Sequence, residues 1–479
     1  MIVAGLDVGT SGVKGLALDS ETGDVVASSE HGYAFSTPRP GWAEQSPSLW
    51  WEATQGVLEA LGKVEGIGLS GQMHGLVALD SSDRVLRPAL LWNDQRTAAE
   101  VAEIEARLGG LDGLLAATGN RALTGFTAPK LLWMARNEPD LYARVARVML
   151  PKDYVRLRLC GEFATDVTDA SGTLWFDPAA REWSPRMLEA LEVDAGWLPR
   201  VEESVAVTGA TAEGTPVAAG AGDQGAGAVG VGAASPGPVS VVLGTSGVVL
   251  SSLPGYAYDP GGRLQASAHA VADRWFAMGV ILSAAGSLSW LREATGGAPF
   301  DVLLDEAERW PPGVEGLTFL PYLSGERTPH ADPEARGAFA GLSVRHDRGA
   351  LVRAVLEGVA FGLRDAFDLL EELGGGVELR VGRVSGGGAR SGLWLRIVAS
   401  ALGLPLERVA VDEGAAFGAA LLGGVAASAW REVDEAVNAC VRVRETVEPV
   451  EEWAAAYAEA RERYRELYPA LKRTQVAVT

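Results

Sequence analysis

The sequence predicts an α/β protein built as two similar halves, each a domain with its own mixed sheet. Three observations point there. The pentapeptide Gly-Thr-Ser-Gly-Val occurs twice, at Gly9–Val13 and Gly244–Val248, 235 residues apart in a chain of 479. Short strand-like runs alternate with helical patterns along both halves. The chain also exceeds the roughly 250 to 300 residues that one hydrophobic core usually serves, so domains are expected over residues 1–234 and 235–479.

The elements follow in order. Ile2–Val8 and Val13–Leu18 read as strands across a tight turn, and Val239–Leu243 with Val248–Leu250 repeats that hairpin. A third strand is expected at Val25–Ser28, an irregular stretch at Pro38 and Pro40, and a helix over Ser48–Leu61. Strands follow at Gly66–Leu69 and Gly75–Leu79, then helical segments and a polar connection between residues 100 and 200. In the second half Leu351, Val355, Val359, Leu363, Phe367 and Leu370 line one helix face, with Ala354, Gly358 and Gly362 beside it. The small residues suggest a helix packed between the domains. A strand at Glu378–Val384 precedes a helix at Leu393–Leu402, and the charged helix Trp453–Leu471 reads as a solvated cap.

Glycines at both ends of each repeated turn allow positive φ and let N–H groups converge on one point. One such turn alone is more often an ordinary hairpin. Two copies at half-chain spacing, with hydroxyls at Thr10, Ser11, Thr245 and Ser246, point to a polyphosphate clamped between two domains. Asp7 and Lys14 flank the first copy, where the second has Val242 and Val249. An acid beside phosphate suggests Mg²⁺ held through oxygen ligands and water.

The formal charge of −21, from 41 basic and 62 acidic residues, makes nucleic acid and anionic membranes poor partners. Cys160 and Cys440 lie far apart, match no metal spacing and read as reduced thiols of a cytoplasmic protein. The early strand leaves no room for a signal peptide, and prolines, glycines and Asp223 break the longest weakly polar stretch, Val217–Leu250.

Gly220, Gly222 and Gly225 satisfy a dinucleotide fingerprint, but the acid expected about 20 residues further on is missing. The informative residue there is Asp223, a carboxylate in a glycine-rich turn. It suits a general base that takes a proton from a hydroxyl attacking a phosphoryl group; a helix N-cap is the alternative. Ser385-Gly-Gly-Gly-Ala-Arg-Ser391 suits a nucleoside lying against backbone at Gly387, Gly388 and Ala389, with Ser391 capping the next helix. Three polar clusters, Gly41-Trp-Ala-Glu-Gln45, Ser70-Gly-Gln-Met-His-Gly75 and Trp92-Asn-Asp-Gln-Arg96, offer Trp42, Gln72, His74, Asn93 and Asp94 to a polyhydroxylated ligand.

Together these residues resemble the FGGY carbohydrate kinases, sugar kinases of the actin-like ATPase superfamily. The resemblance runs through Gly5–Lys14, Gly71–Gly75, Leu91–Thr97, Leu150-Pro-Lys-Asp-Tyr154, Thr165–Gly172, Gly222–Gln224, Leu243–Ser246, Gly386–Ser391 and Glu413–Ala420. Met-His-Gly, Trp-Asn-Asp-Gln-Arg and Asp-Ala-Ser-Gly are similar to the xylulokinase branch. The resemblance implies two actin-like (ribonuclease H-like) ATPase domains with a cleft between them, whose closure excludes water. It implies transfer of phosphate from Mg-ATP to D-xylulose, with Asp223 as base and Asp7 as the acid organising Mg²⁺, both through water. Met73 and His74 would contact the sugar. Gly9, Thr10, Ser11, Lys14, Gly244, Thr245 and Ser246 would hold phosphate, and a homodimer is implied by analogy. Gln224 stands where many relatives have Asn, so another sugar or polyol such as ribulose, gluconate or glycerol stays open. A non-catalytic, ATP-binding sugar sensor stays open too.

Overall fold

The computed structural model describes residues 1–374, 376–411 and 414–473. Glu413 of the last motif lies outside them. The chain divides into two compact units, Met1–Ser235 with Ser252–Phe276 and Glu413–Val441, and Pro236–Ser251 with Ala277–Asp412 and Arg442–Thr479. The first crossing falls between Ser235 and Pro236, and two later segments return to the first unit.

In the first unit, β1 (Ile2–Val8), β2 (Gly12–Asp19) and β3 (Val25–Gly32) form an antiparallel meander. Helix α1 (Pro47–Leu61) leads to β4 (Gly66–Gly71), which runs parallel to β1. A long excursion carries α2 (Pro151–Cys160) and α3 (Val167–Ser171) before β5 (Val207–Ala210) and β6 (Pro216–Ala218) complete the sheet. The strand order is β5-β6-β4-β1-β2-β3. Helix α4 (Asp223–Gly230) starts immediately after a two-residue strand, Ala221–Gly222, paired with β4. Trp50, Val57 and Leu61 of α1 bury against Leu6, Val13 and Leu69, which is why β1 and β4 read as apolar runs up to Asp7 and Ser70.

The second unit repeats this plan. β7 (Pro238–Leu243), β8 (Gly247–Leu253) and β9 (Trp275–Ile281) are followed by β10 (Thr318–Leu320) and the long α5 (Arg348–Leu373). β11 (Val381–Ser385), α6 (Gly392–Leu402) and β12 (Leu406–Val409) come next. After α7 (Gly414–Ala426), β13 (Val443–Val447) and α8 (Ala454–Lys472) end the fold. Six strands in the order β13-β12-β11-β7-β8-β9 follow the order of the first sheet, with a seventh, Gln265–Ala268, beside β9, and with β7 parallel to β11 and β11 to β12. The duplication inferred from the pentapeptide is therefore a duplication of sheets. The hairpins differ by one residue of register: Val8 pairs with Val13, but Leu243 pairs with Gly247, so the second turn is tighter.

Helix α7 belongs to the first unit, and its reason is steric. A Cβ on Gly5 would lie 1.9 Å from Ala416 O, one on Gly68 1.7 Å from Ala419 O, and one on Gly418 1.8 Å from Ala226 O. Bare backbone thus meets bare backbone where α7 crosses β1, β4 and α4. Helix α5 is buried against α6 and β10 of its own unit, with Gly358 admitting the Phe319 carbonyl. One expectation is corrected. Helix α8 is more than a solvated cap, because Tyr457, Ala460 and Tyr464 are buried and Arg353 donates to Tyr457 Oη at 2.8 Å. The strand expected at Glu378–Val384 is the shorter β11.

Candidate functional site

The carboxyl ends of parallel strands gather most of the predicted residues of the first unit, the usual place for ligands in α/β sheets. Asp7 on β1 lies beside Ser70 on β4, and Ser70 lies beside Ala221, two residues before Asp223. Ser70 donates its hydroxyl to Asp7 Oδ1 at 3.0 Å. Asp223 is the first residue of α4 and Gly222 holds the cap position, so the N-cap alternative is replaced by a first-turn carboxylate. The fingerprint glycines have a packing role: Gly220 sits at φ +74°, with Leu69 O where a Cβ would be.

Burial raises both carboxyls above the usual carboxylate range. For Asp7 the Ser70 hydroxyl and the Lys14 charge pull the other way. For Asp223 burial and the charge of Asp7 push the carboxyl to about 7 against hydrogen bonds from Gln224. Two desolvated carboxylates that feel each other form an oxygen donor set suited to a hard divalent cation. Lys14 faces Asp7 across the hairpin and pairs with Glu30 at 3.7 Å.

The Gly9–Gly12 turn is pinned from outside. Gly9 O accepts from Tyr33 Oη at 2.7 Å and Gln72 Nε2 at 3.2 Å. Gln45 Nε2 donates to Thr10 O at 3.1 Å, and Trp92 Nε1 to Thr10 Oγ1 at 2.9 Å. Thr10 Oγ1 in turn donates to Gln72 Oε1 at 3.3 Å. Ser11 is exposed at the turn and its carbonyl accepts the Tyr33 N–H at 2.9 Å. Gln72, expected to face a sugar, has both ends of its amide engaged in holding this turn. Asp94 is likewise occupied: fully buried, it accepts the Ala43 N–H at 2.7 Å and pairs with Arg96 at 2.7 Å. Trp42 carries the Arg96 guanidinium on its ring at 3.6 Å.

Met73 packs on Gly222, the residue before Asp223. The Met73 side chain covers Gly222, where a Cβ would lie 2.8 Å from its sulfur. His74 adopts φ +69°, unusual for a non-glycine residue. Its Nδ1 meets Gly172 O at 2.6 Å, and its carbonyl accepts from Lys130 Nζ at 2.8 Å. The sequence does not single out Lys130: burial, with the Arg96 charge against that of Asp94, lowers its ammonium to about 7, and it also donates to Gly125 O. A lysine within the amphipathic segment Thr127–Asn137 carries no sequence signal of such a role. Asn93 Oδ1 is buried without a hydrogen-bond partner. Gln224, next to Asp223 in the chain, is partly exposed.

In the second unit, Val242 pairs with Ser385, which sets the two glycine loops at neighbouring strand ends. Gly244 O accepts the Ala285 N–H at 2.9 Å and Thr245 O that of Ala284 at 2.8 Å; Ser246 completes the turn. Gly386 takes φ +88° against the Leu243 carbonyl, and Gly388 packs on Leu243 and Trp394, while a Cβ on Gly387 would meet nothing. Gly387–Arg390 forms a short 3₁₀ turn ending at Ser391, which caps α6 by accepting the Trp394 N–H at 3.1 Å. Ala389 is buried within that turn.

Family models for the N-terminal and C-terminal domains of the FGGY family of carbohydrate kinases match residues 2–230 and 239–427. The xylulose kinase of Escherichia coli (strain K12) is 41% identical over 98% of both chains. A structure described as a xyloylose kinase from Brucella ovis is 43% identical with TM-score 0.92, covering 99% of this chain and 100% of that one. A gluconate kinase structure from Lactobacillus acidophilus is 27% identical with TM-score 0.93, covering 99% of each. The chain belongs to the FGGY family of carbohydrate kinases. It is accordingly a phosphotransferase that uses ATP and an alcohol acceptor. Among the described residues no helix is long and apolar enough to cross a membrane.

Proposed function

We propose that this chain phosphorylates D-xylulose from Mg-ATP, giving D-xylulose 5-phosphate and ADP. The observation that carries the reading is Asp223 at the start of α4, with Met73 packed on the preceding glycine. A hydroxyl held beside Met73 and His74 would lose its proton to Asp223 as its oxygen attacks the γ-phosphorus. The new O–P bond forms while the bond to the β-phosphate oxygen breaks, and ADP leaves. A carboxyl near 7 is a stronger base than an ordinary one while still ionised in part at neutral pH. Asp7 and Asp223 would hold Mg²⁺ through water; when bound, the ion neutralises phosphate charge. Thr10, Ser11 and Lys14 would serve the transferred phosphate. Gly244–Ser246 and Gly387–Ala389 would serve the nucleotide, and Asn93 and Gln224 the sugar. Gln72, Asp94 and Trp42 act here as supports rather than contacts. We assign the reaction to the cytoplasm and expect a homodimer.

Likeness to xylulose kinases over the whole length supports D-xylulose. Likeness to a gluconate kinase keeps gluconate as the second reading. The test is ADP release from Mg-ATP with D-xylulose, ribulose, L-xylulose, gluconate, glycerol and no sugar. Preference for D-xylulose supports the proposal, preference for another reassigns the sugar, and no sugar-dependent release favours a sensor.

A further inference from the structure

Five charged side chains, none assigned a role above, are buried completely beneath the loop that presents Asp223. Lys152, Asp153 and Arg156 come from α2, Asp166 from the residue before α3 and Asp169 from α3 itself, all at 0% exposure. Lys152 Nζ lies 2.6 Å from Asp153 Oδ1, 2.8 Å from Asp166 Oδ2 and 3.5 Å from Asp169 Oδ2. Arg156 pairs with the same Asp153 oxygen at 2.6 Å. Withdrawing two cations and three carboxylates from water is costly, and apolar replacements of such clusters are often neutral or stabilising. Stability alone therefore does not account for it.

The cluster's outward bonds do. Asp166 Oδ1 accepts from the Thr168 backbone N–H at 2.8 Å and its hydroxyl at 2.6 Å. With its proton committed to Asp166, Thr168 Oγ1 can only accept, and it takes the Gly222 N–H at 2.7 Å. At the other end of the loop the Arg156 guanidinium donates to Ala219 O and to Ala164 O, the latter at 2.5 Å. The segment 219–222 is thus gripped at its first carbonyl and its last N–H, immediately before Asp223. Thr168 also packs on Gly225, in the first turn of α4, where a Cβ would lie 3.2 Å from it.

We propose that Thr168, Asp166, Lys152 and Arg156 are positioning residues for phosphoryl transfer, a buried clasp that fixes where the Asp223 carboxylate stands. The inference rests on Asp223 being the general base. Its chemical content is geometric: a reacting group displaced by about 1 Å loses on the order of 10²-fold in rate.

The decisive variant is Thr168→Val, which keeps the shape and removes the acceptor. With Mg-ATP and the best sugar of the panel, kcat should fall by roughly 10-fold to 10²-fold, with KM for sugar and ATP unchanged within about twofold. Thr168→Ser, which keeps the acceptor, should restore most of the turnover. Rates are referred to protein that binds ATP, so a folding defect does not mimic the effect. The same substitution is then made in Asp223→Ala protein, where it should cost nothing further, because a residue acting through Asp223 has nothing left to position. A normal kcat in Thr168→Val, or an equal loss in both backgrounds, overturns the clasp and leaves the base intact. Near-normal turnover in Asp223→Ala alone removes the base reading, and the clasp with it.

Discussion

Ser70 donates its hydroxyl to the Asp7 carboxylate at 3.0 Å, tying the end of β4 to the end of β1 at the point where the repeated turn begins. The bond orients one carboxylate oxygen and leaves the charge intact. Asp7→Asn keeps an acceptor for Ser70 and removes that charge, so the Mg²⁺ concentration for half-maximal turnover should rise by roughly 10-fold or more. A metal titration that overlays the parent's would take Asp7 out of the metal site.

Asp223→Ala removes the carboxylate without filling the loop. Nucleotide affinity, measured by calorimetry, should be retained, while sugar-dependent turnover falls by at least about 10²-fold. Weakened ATP binding accompanied by normal kcat at saturation would instead make Asp223 a nucleotide contact.

The duplicated sheet was legible because local patterns encode it: the pentapeptide marks homologous hairpins, and the apolar runs of β1 and β7 mark central strands. Asp223 stood out for a similar reason, as a charge in a glycine-rich turn. Direction was not legible. Gln72, Asp94 and Trp42 sit at strand ends as polar ligands would, yet their side chains turn toward the Gly9–Gly12 turn, the Ala43 N–H and Arg96. Nor does sequence show that Lys152 and Arg156 are buried, since cations mostly lie at the surface. Helix α7 escaped assignment to the first unit because glycine and alanine on all sides leave no polar face to orient it.

The Gly68 contact makes that docking testable. A Cβ there would come within 1.7 Å of Ala419 O, backbone that cannot yield without moving α7. Gly68→Ala should lower stability by about 3 kcal/mol or more, read as a shifted urea midpoint. Gly227→Ala in α4 is the control: its Cβ meets nothing, and a helix interior should gain up to about 1 kcal/mol. Equal midpoints for both variants would contradict the backbone-on-backbone packing.

Trp92 supplies the indole N–H that orients the Thr10 hydroxyl at 2.9 Å. Trp92→Phe keeps the ring and deletes the donor, at a cost of about 1 kcal/mol for one neutral hydrogen bond. If Thr10 serves the phosphates, KM for ATP should rise roughly fivefold with the sugar KM little changed. The opposite split would move Trp92 to the sugar side.

His269 gives the first unit a pH dependence of defined sign. The ring is fully buried, Nδ1 accepts the Val271 N–H at 3.0 Å, and Nε2 lies 3.1 Å from Ser252 Oγ, which donates to Ala233 O at 2.6 Å. This chain of donors requires neutral imidazole. Burial, then Arg274 and Arg181, lowers the group to about 3, from about 6.5 in an unfolded chain. The folded state therefore binds fewer protons than the unfolded one between those values. The contribution is fully present above about 6.5 and is lost as pH falls toward 3, at roughly 1.4 kcal/mol per pH unit for a single site. His269→Asn should be less stable than the parent at pH 7.5, and its urea midpoint should fall less steeply on acidification to pH 5. Parallel curves for the two proteins would mean that His269 takes up its proton without unfolding anything, and the neutral-imidazole network would have to be abandoned.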